Sequence, residues 1–233
     1  MSATLQPESP TGDMGARRIV LFDFDGTLVH GDAYTMFIRE RYRRGWWRGL
    51  LVLPIAPVLL AISVSERGRR AAARMMVRLA LLGTDQDRYR ERAENFGREL
   101  ARNSRLFSRL GISTLRRHMY AGDRILVVTA CEETLARAIL DELGLDSIEL
   151  IASRLARTRR GWRVGVHNIG AEKPRQLAAR GISPPWDVAI SDSLDDLPIL
   201  AAANEAILVN PDRRMLKRGS AKLGTRLSVA EWD

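Results

Sequence analysis

Five short apolar runs punctuate the chain: Ile19–Phe22, Ile125–Val128, Ile148–Ala152, Val188–Ser191 and Ala206–Val209. Unbroken apolar runs this short predict strands buried on both faces. Between several of them apolar residues recur at helical spacing. Glu132–Leu143 places Leu135, Ile139, Leu140 and Leu143 on one side, and Glu172–Arg180 and Asp195–Ala203 follow the same pattern. Strands alternating with helices predict an α/β fold built on a doubly wound parallel sheet. Alternation from Arg154 to Val166 around Arg159-Arg160-Gly161 predicts a small hairpin.

The stretch from His30 to Tyr120 breaks this rhythm, because it holds no strand pattern. Tyr34, Phe37, Ile38 and Tyr42 suit one helix face. Thr84-Asp85 suits the start of another helix, with Tyr89, Ala93, Phe96 and Leu100 as its apolar side. The expected organisation is a polar tail over 1–16, a core made of 17–29 and 121–233, and an all-helical insert over 30–120. The tail lacks the apolar stretch of a signal peptide, and Met14 competes with Met1 as its start.

At 233 residues the chain is long enough for one full core and a smaller insert. A single cysteine, Cys131, excludes an internal disulfide, so a cytoplasmic setting is expected. The net charge of +9 is carried by arginine: only Lys173, Lys217 and Lys222 among the 37 basic residues are lysines. Guanidinium groups suit phosphate-bearing partners, and phosphorylated substrates, anionic lipid and nucleic acid all fit that charge.

The chemistry concentrates in Asp23-Phe24-Asp25-Gly26-Thr27, directly after the first apolar run. In open α/β sheets ligands bind at the carboxyl ends of strands. A carboxylate pair there supplies a nucleophile, a proton carrier and oxygen ligands for a hard cation. Taken alone the pair also fits a solvated turn. Three later sites fall at matching places: Thr129 after the second run, Lys173 at a helix start, and Ser191-Asp192-Ser193-Leu194-Asp195-Asp196 after the fourth run. Singly these would be a helix cap, a surface lysine and an acidic loop.

This order of motifs resembles the haloacid dehalogenase superfamily of phosphatases over about residues 18 to 212. The resemblance implies that the helical insert is a type 1 cap and that the hairpin before Lys173 belongs to the phosphoserine phosphatase branch. It implies that Asp23 is the nucleophile forming an aspartyl-phosphate and that Asp25 is the acid and then the base. Thr129 and Lys173 would bind the phosphate. Asp23, the Asp25 carbonyl and Asp192 would coordinate Mg²⁺, with Asp196 orienting that shell. The last motif usually begins Gly-Asp, and here it is Ser191-Asp192. Phosphoserine phosphatases usually hold the substrate's amino group with a Glu early in the cap; Asp32 stands near that place.

Gly49–Ser65 carries no charge. As a helix its 17 residues would reach about 25 Å, short of the roughly 30 Å hydrocarbon core, and Pro54 and Pro57 would bend it. Tyr42 and Trp46-Trp47 precede it, and arginines flank both ends. Asp23 and Thr129 must meet in one site, which excludes an odd number of membrane crossings between them. The alternatives are a buried cap core, or a re-entrant or interfacial hairpin anchoring the cap on the cytoplasmic face of an anionic inner membrane. The second is expected, because a small cap has little use for so long a stretch apolar on all faces. Leu50–Pro54, Ile151–Ser153, Gly161-Trp162 and Ser191–Ser193 resemble the bacterial phosphatidylglycerophosphatase C group. That resemblance implies a membrane phospholipid phosphate as substrate and no nucleic-acid partner. The competing expectations are a soluble phosphatase for phosphoserine or another metabolite, and a non-catalytic basic binding module.

Overall fold

The computed structural model describes residues 17–159 and 161–232. The expected tail with Met14, and Arg160 at the hairpin tip, lie outside the described residues. Among the described residues seven strands form one sheet: β1 (Ile19–Phe22), β2 (Arg124–Glu132), β3 (Glu149–Thr158), β4 (Gly161–Val166), β5 (Trp186–Ser191), β6 (Ala203–Val209) and β7 (Leu227–Ala230). Their order is β4-β3-β2-β1-β5-β6-β7, and every pairing is parallel except β3 with β4. The hairpin is therefore the sheet's own edge, made where β3 runs on past the core and folds back.

Among the described residues ten α-helices accompany the strands. Between β1 and β2 lie α1 (Ala33–Arg44), α2 (Trp46–Val52), α3 (Ala56–Ile62), α4 (Glu66–Ala80), α5 (Gln86–Ala101) and α6 (Arg109–Tyr120). Then follow α7 (Glu133–Glu142), α8 (Glu172–Ala178), α9 (Leu197–Leu200) and α10 (Arg213–Leu223). Strand pleating explains the double layer. Val20, Phe22, Ile125 and Val127 point into one core with Leu115, Leu135 and Ile139 from α6 and α7. Leu21, Leu126, Val128 and Ala189 point into the other, with Leu177, Ile199 and Leu223 from α8, α9 and α10.

One expectation shifts, and two features are added to the sequence reading. The helix expected over Asp195–Ala203 is only one turn, because Ala203 already pairs with Trp186 at the start of β6. The amphipathic α10 and the edge strand β7 carried no clear signal: β7 is four residues long and half exposed. The last helices of the insert also pack on core elements, α6 on β2 and α5 on α7. At Gly97 of α5 a side chain would press on Ala138 and on the Leu135 carbonyl of α7, so only glycine permits that approach.

Local signals explain the insert's helices. Asp32, Ser65 and Asp85 cap α1, α4 and α5 by accepting from Thr35, Gly68 and Arg88 backbone N–H groups. Phe37, Ile38 and Arg41 form the buried side of α1; Tyr89, Ala93 and Leu100 do so for α5. The apolar stretch behaves differently. It turns 102° from α1 and runs as α2, a 3₁₀ turn over Leu53–Ile55, and α3. None of residues 49–65 is buried, and Trp46, Leu53, Leu60 and Val64 are 72%, 65%, 76% and 86% exposed. The alternative that this stretch is a buried cap core is therefore wrong. No single helix among the described residues is long and apolar enough to cross a membrane.

Candidate active site

The sheet register brings the motifs together. Phe22 lies opposite Val127 on β2 and Ile190 on β5, so the carboxyl ends of three neighbouring strands open at one level. Asp23, next after Phe22, donates its backbone N–H to the Ile190 carbonyl at 2.9 Å. Thr129 and Asp192 each lie two residues past the matching positions on β2 and β5.

Lys173 is 2% exposed, and its Nζ donates to Asp23 Oδ1 at 2.7 Å and to Asp196 Oδ2 at 2.6 Å. The arginine-rich chain thus keeps its one buried lysine for a place where a compact ammonium meets two carboxylates. Asp196, expected to orient a metal shell, accepts from Lys173 and from Ser191 Oγ, the latter at 2.7 Å. Ser191, in place of the more usual glycine, therefore has a partner of its own. Burial pushes the Asp23 carboxyl upward; Lys173 opposes this, and Asp196 and Asp192 add to it. The Lys173 ammonium, although burial disfavours it, is kept protonated by Asp23 and Asp196.

Asp25 Oδ1 accepts the Ala33 backbone N–H at 2.8 Å, which fixes the carboxyl at the start of α1. Burial raises its pKa from the ordinary 3.8 to about 7, against the lowering effect of that hydrogen bond. Asp192 is half-buried, and burial raises it too, with Asp196 adding. Its carboxylate stands over Gly26, whose φ of +78° and lack of a Cβ both matter: a side chain there would occupy the space of the Asp192 carboxylate.

Asp192 stands close enough to Asp23 to disfavour its charge. Among the described residues no cluster of three or more His, Cys, Asp or Glu side chains is placed to hold a metal. The expected donor set, the Asp23 and Asp192 carboxylates with the Asp25 backbone carbonyl, is all oxygen and would suit a hard cation such as Mg²⁺. The Gly26 cradle and the closeness of Asp192 to Asp23 fit such an ion.

Thr129 is fully buried, and its Oγ accepts the Cys131 backbone N–H at 2.9 Å, leaving the hydroxyl proton free to donate. Asp32 lies at the mouth of the site, but its Oδ1 is engaged at 2.6 Å by the Thr35 N–H as a helix cap.

Several residues were not foreseen. Thr27 Oγ accepts the Asp192 N–H at 3.1 Å and ties the first motif to the last. Asn168 Nδ2 donates to the Thr129 and Ile151 carbonyls at 3.1 and 2.9 Å, pinning the ends of β2 and β3. Glu132 is buried beside Tyr34 and Tyr89, and burial raises its carboxyl. It caps α7 through Leu135, a role its place before a helix could have signalled. Thr27 and Asn168 had no such signal, because their partners are distant in sequence.

Above the site lies a cleft of about 1000 Å³ between α1, α4 and the β3–β4 hairpin. Asp25 and Asp32 line it, with Ile38, Tyr42, Val77, Leu155, Val164 and Ile169 as apolar walls. Arg39, Arg70, Arg74, Arg78 and Arg163 bring positive charge to it.

Known proteins agree with this geometry. Residues 20–201 match the model of the haloacid dehalogenase-like hydrolase family. Protein CicA of Caulobacter vibrioides is 30% identical over 205 residues, covering 84% of this chain and 87% of that protein. Phosphoserine phosphatase SerB1 of Mycobacterium tuberculosis is 28% identical over 83% of this chain and 65% of its own length. A solved structure of a Bordetella pertussis protein of unknown function shares the fold, with a TM-score of 0.70 and 23% identity over 92% of this chain and 98% of that one. The expectation of a non-catalytic binding module falls with these matches: the chain is a phosphatase, and it belongs to the haloacid dehalogenase-like hydrolase family.

Proposed function

We propose that the chain is a Mg²⁺-dependent phosphomonoesterase acting through an aspartyl-phosphate on Asp23, with phosphatidylglycerophosphate as substrate and phosphatidylglycerol as product. The cleft carries the substrate class. At about 1000 Å³ it stands at the top of the range for small-molecule sites, and phosphoserine would leave most of it empty. Its apolar walls suit acyl chain or glycerol carbon, and its arginines suit a second anionic group. The two helices that flank it, α1 and α4, are the ones joined by the exposed apolar arm of α2 and α3. Trp46 and Trp47 at the start of that arm suit a membrane interface. An arm lying on the cytoplasmic face of an anionic membrane would bring a phosphate that cannot leave the bilayer to the cleft.

In the proposed reaction an Asp23 oxygen attacks phosphorus and the bond from phosphorus to the ester oxygen breaks. The leaving alkoxide takes the proton of Asp25, whose pKa of about 7 keeps a usable share of it protonated at neutral pH. Asp25, now ionised, accepts a proton from water as that water's oxygen attacks the phosphorus of the aspartyl-phosphate. The bond from phosphorus to Asp23 breaks, phosphate leaves, and both carboxyl groups return to their first state. Lys173, held by Asp23 and Asp196, offsets the charge of nucleophile and phosphoryl group. The Thr129 hydroxyl donates to a phosphoryl oxygen. Mg²⁺ on Asp23, Asp192 and the Asp25 carbonyl would supply the remaining positive charge.

The likeness to SerB1 favours phosphoserine as a second substrate reading. Against it, Asp32 is engaged as a helix cap and stands exposed, poorly suited to hold an amino group. Phosphate release from phosphatidylglycerophosphate vesicles and from soluble phosphoserine, each with and without Mg²⁺, separates the two. The proposal expects the vesicle substrate to be turned over far faster and only with Mg²⁺. Equal rates on both substrates would remove the lipid assignment, and full activity of Asp23→Asn would remove the aspartyl-phosphate.

A further inference from the structure

The root of the apolar arm holds positive charge that the described residues leave unanswered. Arg41, near the end of α1, and Arg48, in α2, are only 7% and 9% exposed. Arg41 reaches the Thr84 hydroxyl at 3.5 Å, and Arg48 reaches the Leu82 carbonyl at 3.4 Å, both long for a charged donor. The Nε of each is buried without a hydrogen-bond partner. Arg92, half-buried on α5, is near enough for its charge to be felt by both. Burial, then Arg92, lowers the pKa of both, and Arg48 and Arg44 lower Arg41 further.

Among the described residues none of the three is paired with a carboxylate. Glu40, on the same helix as Arg41, is taken by Arg43 and Arg44. The carboxyl end of α4 near Leu82 offers only about half a negative charge to three positive ones. Clustered guanidiniums kept from water without a counter-charge are costly to hold. An anion is the missing partner.

The surroundings say which anion. Arg48 lies 4.4 Å from the centre of the Trp47 ring, and Trp46, Leu50 and Leu53 stand exposed just beyond. A phosphate flanked by apolar chain is the chemistry of a phospholipid, and planar guanidiniums meet phosphate oxygens through paired hydrogen bonds. We infer that Arg41, Arg48 and Arg92 form a site for the phosphodiester of an anionic phospholipid, filled when the arm rests on a bilayer. The inference rests on the membrane-facing reading of the arm and adds to it a specific headgroup site, apart from the catalytic one.

The test uses the full chain and vesicles of phosphatidylcholine and phosphatidylglycerol in equal amounts. Wild type is compared with Arg41→Gln, Arg92→Gln, the exposed flank control Arg67→Gln, and an arm control, Leu50→Gln with Leu53→Gln. An exposed arginine contributes about fivefold in vesicle affinity, the ~1 kcal/mol of one basic residue near an anionic surface. Arg41→Gln and Arg92→Gln should each lose more than about tenfold, as charge-assisted bonds to phosphate do. Hydrolysis of soluble p-nitrophenyl phosphate should stay within about twofold, and melting should not fall, since an unpaired buried charge has been removed.

Losses equal to that of Arg67→Gln would overturn the site in favour of general charge attraction. A lower melting point for Arg41→Gln with unchanged vesicle binding would overturn it in favour of a structural role. Should soluble glycerophosphoglycerol raise the melting point of wild type but not of Arg92→Gln, while vesicles do not bind, the lipid source is wrong. The arm control keeps the two levels apart. If it binds vesicles normally, the membrane reading fails; if it loses binding while Arg41→Gln and Arg92→Gln keep theirs, only the headgroup site fails.

Discussion

Replacing Lys173 with methionine isolates the electrostatic centre of the site. Methionine is close in length and apolar, so packing around a side chain only 2% exposed is largely kept. What disappears is one ammonium serving two carboxylates, at 2.7 Å from Asp23 and 2.6 Å from Asp196. Removing one partner of a buried ion pair costs about 3–5 kcal/mol. Ser191 still donates to Asp196, which places this change near the lower end, at about 3 kcal/mol. For a chain of this size each kcal/mol moves the melting point by about 2–4 °C, so Lys173→Met should melt about 6–12 °C lower in metal-free buffer at pH 7.5.

The deficit should depend on pH in a defined direction. Without Lys173 nothing nearby opposes the burial that raises the Asp23 carboxyl. The folded variant then binds a proton that the unfolded chain releases, so its stability falls as pH rises and the deficit shrinks toward pH 5. Adding Asp196→Asn should recover part of the loss, since one of the two stranded carboxylates is gone, while activity stays lost. Catalysis should drop by at least about 10²–10³, the range for removing one preorganised charge-stabilising group. Scanning fluorimetry of the single and double variants at two pH values, with phosphate release beside it, checks all of this. A melting point within about 2 °C of wild type, unchanged by Asp196→Asn, would refute the reasoning.

Three other variants probe the remaining parts. Asp25→Asn should lower kcat/KM far more for alkyl phosphates than for p-nitrophenyl phosphate, whose leaving group needs no proton; equal losses would deny Asp25 its acid role. A carboxyl raised from 3.8 to about 7 by burial adds stability below about pH 4 and loses it as pH climbs through about 7. Metal-free Asp25→Asn should therefore gain melting temperature over wild type at pH 8 and not at pH 4. Ser191→Ala removes the hydroxyl that bonds Asp196 at 2.7 Å, and it should cost about 1.5–3 kcal/mol in denaturant melts and several-fold in kcat. Gly26→Ala must accept a φ of +78° and displace Asp192. It should cost about 1–2 kcal/mol from the backbone alone and raise the Mg²⁺ concentration needed for half activity, read from a metal titration.

Much of the fold was legible because the core strands are unbroken apolar runs, and only a buried parallel sheet needs those. The first and last motifs were legible for a related reason. Their carboxylates sit at strand ends, and the parallel pairing of β1 with β2 and β5 brings those ends together. Strand β7 and helix α10 were missed because an exposed edge element carries little apolar pattern. The bond from Lys173 to Asp196 was not legible, because the two residues are distant in the chain and meet only across the site.

The sequence by itself determined which chemistry the chain can carry: two carboxylates at one strand end, a lysine and an acidic cluster, strung in an order that a doubly wound sheet gathers at one edge. It also determined that seventeen uncharged residues interrupt the insert. Tertiary structure alone decided that those residues stand exposed rather than packed, because burial depends on which helices come to cover them, and α1 and α4 leave their outer side bare. It decided, too, that Ser191 and Asp196 serve Lys173 and that Gly26 makes room for Asp192. Hydrogen bonds and steric room are properties of groups distant in the chain that folding brings within a few ångströms, and no local pattern records them.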